Sequence, residues 1–260
     1  PLRRQRQMCI RDRYSIAPDF GERVDRAVSS ALDRDLTVVL DVHHYDELQR
    51  APDEHEDRFV ALWQQIANRY AGYPTTLWFE LLNEPHDALT AQRWNRLLQR
   101  ALDAVRRHDR DRTVIVGPAR MNSVDALPAL ELPADSHLLG TVHYYEPMTF
   151  THQGASWTPG ADRWRGTTWG SDADHDAVRG DLARADAWAR QNGVPLLIGE
   201  FGTYDRADLA SRVAWTRCVR SQAERLGLSW CYWDFGTDFG VYEPENRSWK
   251  EPLRSALLDG

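Results

Sequence analysis

Cysteine is scarce in this chain, with three residues among 260. Cys9, Cys218 and Cys231 are too few and too scattered for the disulfide framework of a small secreted domain. Cys218 falls on a predicted helix and Cys231 in a predicted strand. We therefore expect both to be small, buried, apolar residues.

Metal-binding motifs are also missing, because the chain contains neither H-E-x-x-H nor Cys-x-x-Cys. His43 and His44 are adjacent, and neighbouring side chains of an extended strand point to opposite faces. The sequence therefore predicts no metal site and no other cofactor.

An excess of basic charge is absent as well. The chain has 32 Lys and Arg against 39 Asp and Glu, for a net charge of −7. Nucleic acids and anionic membranes bind basic surfaces, so neither is expected as a partner.

Residues 1–13 contain five arginines but no apolar stretch long enough for a signal peptide. We predict that 1–13 form an Arg-rich leader foreign to the native domain, and that 14–260 form one partial catalytic domain.

Two apolar segments end in glutamate. LWFELLNEPHD (77–87) leads into Glu84, and PLLIGEFG (195–202) leads into Glu200. Strands of a parallel α/β barrel are covered on both faces, and their functional residues lie at the C-terminal ends. Two carboxylates suit acetal hydrolysis, in which one acid protonates the leaving oxygen while the other group attacks or stabilises the oxocarbenium-like centre.

Further strand-end motifs complete a family pattern. These are HHY at 43–45, NEP at 83–85, HYY at 143–145, IGEFG around Glu200, and Trp233 in WCYWDFG. In this order they resemble the cellulases of glycoside hydrolase family 5, over about residues 14–258. The stretches FTHQGASW and DFGVYE are similar to a bacterial endo-β-1,4-glucanase branch. The resemblance implies a TIM (β/α)8 barrel, an α/β fold.

The resemblance also implies roles for individual residues. Glu84 would be the acid/base and Glu200 the nucleophile. Asn83 would bond the sugar 2-hydroxyl, Tyr145 would bond the nucleophile, and His143 would contact the acid/base.

Other candidates would bind the sugar chain. His43 would line the −1 subsite, and Trp233 would stack on a sugar ring. Weaker candidates for substrate binding at cleft subsites are His44, Tyr45, His152 and Trp157. The family's arginine near the end of the second strand has no counterpart here.

Hydrophobic periodicity predicts six strands that alternate with helices. The strands are 37–42, 76–82, 113–117, 138–143, 195–199 and 229–234. The helices are 20–34 after an Asp19 cap, 55–71, 90–108 with a Thr90 cap, 174–191, 206–226 and 249–258.

A barrel needs eight strands, so the first two β/α units are expected to be lacking. Residues 145–173 are expected to wall the substrate cleft, and Trp63, Trp94, Trp188 and Trp215 to pack in the core.

Several functions fit these observations. The leading one is a retaining endo-β-1,4-glucan hydrolase, and a β-mannanase shares the same catalytic set. An inactive truncated fragment and a non-hydrolytic sugar-binding module remain open. The expected partner is a β-linked polysaccharide or oligosaccharide, and the chain is expected to be a monomer. The resemblance also implies a secreted or extracellular protein.

Overall fold

The computed structural model of the chain describes residues 10–11 and 14–259. Cys9 and all of the predicted leader except 10–11 lie outside the described residues. The chain divides into two compact units. The first runs as far as Asn122 and includes Ala126–Gly140, and the second contains Ser123–Asp125 and continues from Thr141.

The first unit opens with a short hairpin and then alternates helices with strands. In the hairpin, β1 (Ile10–Arg11) pairs antiparallel with β2 (Ser15–Ile16). The elements that follow are α1 (Pro18–Leu32), β3 (Val38–Asp41), α2 (Asp46–Arg50), α3 (Pro52–Tyr70), β4 (Leu77–Glu80), α4 (Ala91–Arg106) and β5 (Val114–Val116).

The strands of this unit form a parallel sheet in chain order. β3 pairs with β4, β4 with β5, and β5 with β6 (Leu138–Tyr144), which begins in this unit and continues into the second. β5 is fully buried, as expected of a strand covered on both faces. β3 stands at one end of the described strand order, and Val39 is 37% exposed. A pocket of about 360 Å³ opens beside β3.

The second unit continues the same alternation and ends in a hairpin and a helix. Its strand order is β6, β7, β8, and β7 pairs parallel with β8. After β6 its elements are α5 (Met148–Thr151), a 3-10 turn (Ala161–Trp164), α6 (Asp172–Asn192), β7 (Leu196–Phe201), α7 (Leu209–Leu226), β8 (Ser229–Trp230), β9 (Tyr242–Glu243), β10 (Ser248–Trp249) and α8 (Glu251–Leu258).

Three tryptophans anchor the two cores, as the sequence predicts. Trp63 and Trp94 are fully buried in the first unit and Trp215 in the second. Their indole N–H groups donate to the main-chain carbonyls of Leu81, Gly117 and Glu146, respectively, so each large ring is buried with its polar atom satisfied. Trp188 is only half-buried, so its predicted place in the core is wrong.

Helix capping agrees with the sequence in one case and differs in another. The Thr90 hydroxyl accepts from the Arg93 N–H at 3.5 Å, which confirms the predicted start of α4. The predicted Asp19 cap is wrong, because α1 begins at Pro18 with Ala17 as its N-cap. Proline suits the first helical position, where its missing N–H costs no hydrogen bond. Asp19 therefore lies inside the first turn.

Two strand boundaries also differ from the prediction. β7 extends to Phe201, so Glu200 lies within the strand rather than beyond it. β8 ends at Trp230, and Cys231, which follows it, is exposed. The expectation of a buried Cys231 is therefore wrong: its N–H still donates to the Ile198 carbonyl of β7 at 2.9 Å, but the residue is exposed. Cys218 is half-buried on α7.

The chain has the predicted α/β fold, the (β/α)8 barrel class, and the described residues supply six of the eight strands of such a barrel. Among these residues, no helix combines the length and the apolar character needed to cross a membrane.

Candidate active site

Glu200 lies near the C-terminal end of β7, in the second unit. The Tyr145 hydroxyl donates to Glu200 Oε2 at 2.8 Å. His143 Nδ1 lies 3.6 Å from the same oxygen, and the His143 side chain is only 2% exposed. The carboxylate therefore faces one hydroxyl donor and one imidazole in a largely dry environment. The hydrogen bond from Tyr145 is the contact that the family resemblance implies.

Gly199 allows β6 and β7 to approach closely beside this carboxylate. A Cβ at Gly199 would lie 2.5 Å from Thr141 Oγ1 and 3.2 Å from His143 Nε2. A larger residue there would force Thr141 to move and would crowd the His143 ring beside Glu200. Sequence reasoning missed Gly199, because nothing local marks it apart from its position before the glutamate.

Trp233 follows β8 instead of lying within it. Its N–H donates to the Phe201 carbonyl at 2.8 Å, and the Trp233–Asp234 peptide bond is cis. A Cβ at Gly202 would lie 1.9 Å from the Trp233 carbonyl oxygen. The main chain at Trp233 is thus packed directly against the segment that follows Glu200, within the same unit.

An aromatic cluster adjoins Tyr145 in the second unit. The His152 ring lies 5.0 Å from Tyr145 and 5.4 Å from Phe239. Trp157, which is 55% exposed, packs edge-on against Tyr204 at 5.0 Å. The structure therefore brings the weaker candidate His152 next to Tyr145. Phe239, which joins the cluster, lies in the stretch DFGVYE but was not among the predicted site residues.

The predicted cleft wall, residues 145–173, has more local structure than expected. It contains α5 and the 3-10 turn. The Gln153 amide donates to the carbonyls of Phe150 and Thr167, and its oxygen accepts from the Gly166 N–H. One buried glutamine thus ties the segment together.

Glu84 lies in the first unit, beyond the end of β4, and its backbone has φ of +46°. Positive φ is uncommon for residues other than glycine and clusters at functional sites. The Glu84 carbonyl accepts from Gln49 Nε2 at 3.3 Å and lies 2.5 Å from His86 Nδ1. Gln49 Oε1 in turn accepts from the His86 N–H at 2.8 Å.

Gln49 is 3% exposed, so these contacts are shielded from water. Asn83, which precedes Glu84, is also buried, and its N–H donates to the Val42 carbonyl at 3.2 Å. The main chain around Glu84 is thereby held from two directions. Sequence analysis missed Gln49, since 35 residues separate it from Glu84.

His43 and His44 follow β3 in the first unit. His43 Nδ1 is 2.7 Å from Asp41 Oδ2, and the two imidazole rings meet edge-on with centroids 4.5 Å apart. The expectation that they point to opposite faces is wrong, because β3 ends at Asp41 and the two rings lie against each other. Both residues line the pocket beside β3.

Tyr45 is buried at the same pocket, with its hydroxyl 3.1 Å from His55 Nδ1. Burial raises the pKa of Tyr45 to about 12. Tyr45 therefore stays neutral around neutral pH and can only share a hydroxyl proton with its neighbours.

The chain is similar to proteins of one enzyme family. A family model described as cellulase (glycosyl hydrolase family 5) matches residues 4–239. Endoglucanase H of Acetivibrio thermocellus is 31% identical over 252 residues, which cover 95% of this chain and 27% of that protein. Endoglucanase 3 of Fibrobacter succinogenes is 28% identical, with 80% and 38% covered. The chain thus spans well under half of the length of these two curated relatives.

Solved structures are similar over a larger share of their length. Endoglucanase Cel5A of Thermotoga maritima is 44% identical, with a TM-score of 0.93, and the match covers 94% of this chain and 80% of that one. Structures of the same enzyme contain cellobiose (TM-score 0.94) and mannotriose (TM-score 0.93), each at 43% identity.

Proposed function

Because the chain belongs to the cellulase family, glycosyl hydrolase family 5, we propose that it cleaves β-1,4-glucan internally with retention of anomeric configuration. The two curated relatives and the similar solved structure are all named endoglucanases. Glu84 is the proposed acid/base and Glu200 the proposed nucleophile.

The proposed reaction is a double displacement. Glu84 donates its proton to the glycosidic oxygen while the Glu200 carboxylate attacks the anomeric carbon. The carbon–oxygen bond breaks, the leaving sugar departs as an alcohol, and a glycosyl ester forms on Glu200. Glu84, now a carboxylate, takes a proton from water, whose oxygen attacks the anomeric carbon and releases Glu200. Two inversions give net retention, which requires carboxyl groups about 5–5.5 Å apart.

The environment of Glu200 carries this proposal. A nucleophilic carboxylate must be held in a fixed orientation, and both Tyr145 and His143 lie at Glu200 Oε2. Tyr145 would keep the carboxylate oriented and stabilise its charge between turnovers. His143 would position the catalytic groups without entering the covalent chemistry.

The other predicted residues fit a role in sugar binding. Asn83 would bond the 2-hydroxyl, a contact that strengthens in the transition state. His43 and His44 would bind hydroxyls of the sugar chain, and Trp233 would stack on a ring face. A neutral polymer makes no demand for basic charge, in keeping with the net charge of −7. A polysaccharide too large to enter cells also favours an extracellular site of action.

β-1,4-Mannan is a second proposed substrate. The observation that favours it is the mannotriose complex of Thermotoga maritima Cel5A, which is 43% identical to this chain. Glucose and mannose differ at the 2-hydroxyl, the group proposed to contact Asn83. Discrimination between the two polymers would therefore depend on how Asn83 is placed.

The test measures reducing ends released from soluble β-glucan and from β-mannan by the chain and by its Glu200→Ala variant. We expect release by the parent chain and none by the variant. NMR of the first-formed hemiacetal from β-glucan should show the β-anomer, and an α-anomer would reject Glu200 as nucleophile. If no polymer is cleaved but cellotetraose raises the melting temperature, the chain is a sugar-binding module. If cellotetraose also has no effect, it is an inactive fragment.

A further inference from the structure

Thr151 lies at the end of the short helix α5, in the second unit, and is fully buried. Its hydroxyl donates to the Tyr145 carbonyl at 2.6 Å and lies 2.9 Å from His152 Nδ1. The Tyr145 hydroxyl in turn donates to Glu200 Oε2 at 2.8 Å. Two short hydrogen bonds, joined by Tyr145, therefore connect Thr151 to the candidate nucleophile.

We propose that Thr151 is a positioning residue, which acts on Glu200 by fixing the main chain of Tyr145 and with it the place of the Tyr145 hydroxyl. This inference rests on the proposed function and deepens it, because it adds a residue that supports the nucleophile through another side chain. The proposed role is alignment alone, and Thr151 gives or takes no proton in the reaction.

The hydrogen bond from Thr151 to Tyr145 differs from the one that a helical threonine ordinarily makes. Threonine hydroxyls in helices bond the carbonyl three or four residues earlier in the chain. Thr151 instead reaches back six residues, to a carbonyl outside its own helix. Thr149, two positions earlier on the same helix, is exposed. The buried bond therefore supports the fold around Tyr145 and not the helix.

Both hydrogen-bonding capacities of the Thr151 hydroxyl are used. A carbonyl oxygen only accepts, so the single hydroxyl proton points to Tyr145. At His152 the hydroxyl must then accept, which places a proton on His152 Nδ1. A turn of the hydroxyl would break both contacts, so its direction is fixed.

Other contacts hold Thr151 itself in place. Its N–H donates to the Pro147 carbonyl at 3.1 Å, and its own carbonyl accepts from the Tyr204 N–H at 2.8 Å. Tyr204 lies just beyond the end of β7, the strand that carries Glu200. Thr151 thus joins the segment after β6 to the segment after β7, the two segments next to Tyr145 and Glu200.

Small shifts of Tyr145 would matter at Glu200. The Tyr145 ring packs edge-on against His152 and Phe239, with centroids 5.0 and 6.0 Å away, and such contacts tolerate small movements of a ring. A hydrogen bond weakens steeply when its angle departs from the best values, and a misplacement of about 1 Å can lower a reaction rate by about 100-fold. The bond from Thr151 therefore supplies an alignment that ring packing alone does not.

The kinetic test compares Thr151→Val with Thr151→Ser on soluble β-glucan, in the parent chain and in a Tyr145→Phe background. Valine keeps the shape of threonine without its hydroxyl, so we expect kcat to fall by about five- to tenfold with KM nearly unchanged. Serine keeps the hydroxyl and should restore most of kcat. In the Tyr145→Phe background no hydroxyl remains to be aligned, so valine should lower kcat by less than about twofold.

Thr167→Val is the matched control. Thr167 lies in the same segment, 145–173, and its hydroxyl donates to the Trp164 carbonyl at the same distance, 2.6 Å. Its loss should leave kcat unchanged. Equal falls of kcat for Thr151→Val with and without the Tyr145 hydroxyl, or an equal fall for Thr167→Val, would overturn the proposal. Should Thr151→Val not fold, Thr151→Ala removes the same hydroxyl and is judged by the same outcomes.

NMR separates this inference from the proposed function. In protein with isotope-labelled tyrosine, the Tyr145 Cζ signal is identified by its loss in Tyr145→Phe, and Glu200→Ala shows its position without the carboxylate. We expect Thr151→Val to move the signal in the same direction as Glu200→Ala does, and Thr167→Val to leave it in place. If the parent cleaves no glucan but the signal moves in this way, only the proposed function is rejected. An unmoved signal would overturn the role of Thr151 even in an active enzyme.

Discussion

The contacts described for the two candidate catalytic glutamates involve different parts of each residue. Glu200 is held through its side chain, which receives a hydrogen bond from Tyr145 and lies beside His143. Glu84 is held through its main chain, which has positive φ and whose carbonyl accepts from Gln49. A residue that attacks carbon needs a fixed carboxylate, and the contacts of the Glu200 side chain suit that proposed role. The main-chain contacts of Glu84 fix the position from which its side chain extends.

The residues that contact the two glutamates differ in how easily the sequence reveals them. The side-chain support of Glu200 comes from residues that themselves look functional, a histidine and a tyrosine at a strand end. The support of Glu84 comes from a buried glutamine on a short helix, α2, which carries no catalytic signature. Removing the Tyr145 hydroxyl should therefore alter chemistry first, and removing the Gln49 side chain should alter local stability first.

The largest expected effect separates the two glutamates directly. Glu200→Ala should reduce turnover by roughly 10⁴-fold or more, because no covalent intermediate can form. Glu84→Ala should reduce cleavage of polymers by about 10²–10⁴-fold, with a much smaller loss for aryl glycosides whose leaving groups need no proton. Steady-state kinetics on soluble β-glucan and on an aryl cellobioside measures both.

Azide checks the assignment of these roles. Added azide should rescue Glu84→Ala and give a β-glycosyl azide, because the intermediate on Glu200 still forms and azide needs no general base. If azide instead rescues Glu200→Ala with a β-product and does nothing for Glu84→Ala, the two glutamates are reversed.

The next largest effect tests the close packing beside Glu200. Gly202→Ala would place a Cβ 1.9 Å from the Trp233 carbonyl oxygen, and the main chain must move to relieve the clash. We expect a loss of about 1–3 kcal/mol in unfolding free energy, with reduced activity because Trp233 shifts. Chemical denaturation followed by fluorescence measures the first, and kinetics the second.

Gly180→Ala is the control for that substitution. Gly180 lies within α6, and a Cβ there would meet nothing within 4 Å. Alanine favours helix over glycine by about 1 kcal/mol, so this variant should be as stable as the parent or more stable. Equal stability of the two variants would show that the approach of Trp233 to Gly202 is not a constraint.

A smaller effect is expected when the hydroxyl donor to Glu200 is removed. Tyr145→Phe keeps the ring packed near His152 but deletes the hydrogen bond to Glu200 Oε2. A hydrogen bond to a charged group contributes about 1.5–3 kcal/mol, so kcat should fall by roughly 10- to 100-fold. KM and the melting temperature should change little, because the ring remains in place. A large drop in melting temperature with unchanged kcat would mean that Tyr145 is structural.

Much of the fold could be predicted from the sequence, because hydrophobic periodicity and helix capping are local signals. The six strands and the Thr90 cap follow from residues that are close together in the chain. Strand ends were less predictable: β8 stops at Trp230, although the residues that follow it are equally apolar. Where a strand ends depends on its neighbours in the sheet, and these are distant in sequence.

Some residues of the candidate site could likewise be predicted from local sequence, and others could not. Residues with reactive or hydrogen-bonding side chains at strand ends, such as Glu200 and Tyr145, could be found from the sequence. Gln49, Gly199 and Phe239 could not, because each acts through a contact with a distant residue. A glutamine, a glycine or a phenylalanine is common enough that only the folded chain reveals its role.

The smallest expected effect tests whether Glu84 depends on Gln49. Gln49→Ala removes the donor to the Glu84 carbonyl and the acceptor for the His86 N–H, both in a buried place. Leaving a buried polar group without a partner costs about 1–3 kcal/mol, and we expect unfolding to become easier by about that amount. Activity should fall only a few-fold, because the Glu84 carboxyl itself is untouched. Gln99→Ala is the control, since Gln99 Nε2 bonds Asp103 on the exposed surface of α4 and its loss should cost little. If Gln49→Ala lowers activity as much as Tyr145→Phe does, with no loss of stability, the structural role assigned to Gln49 at the Glu84 main chain is wrong.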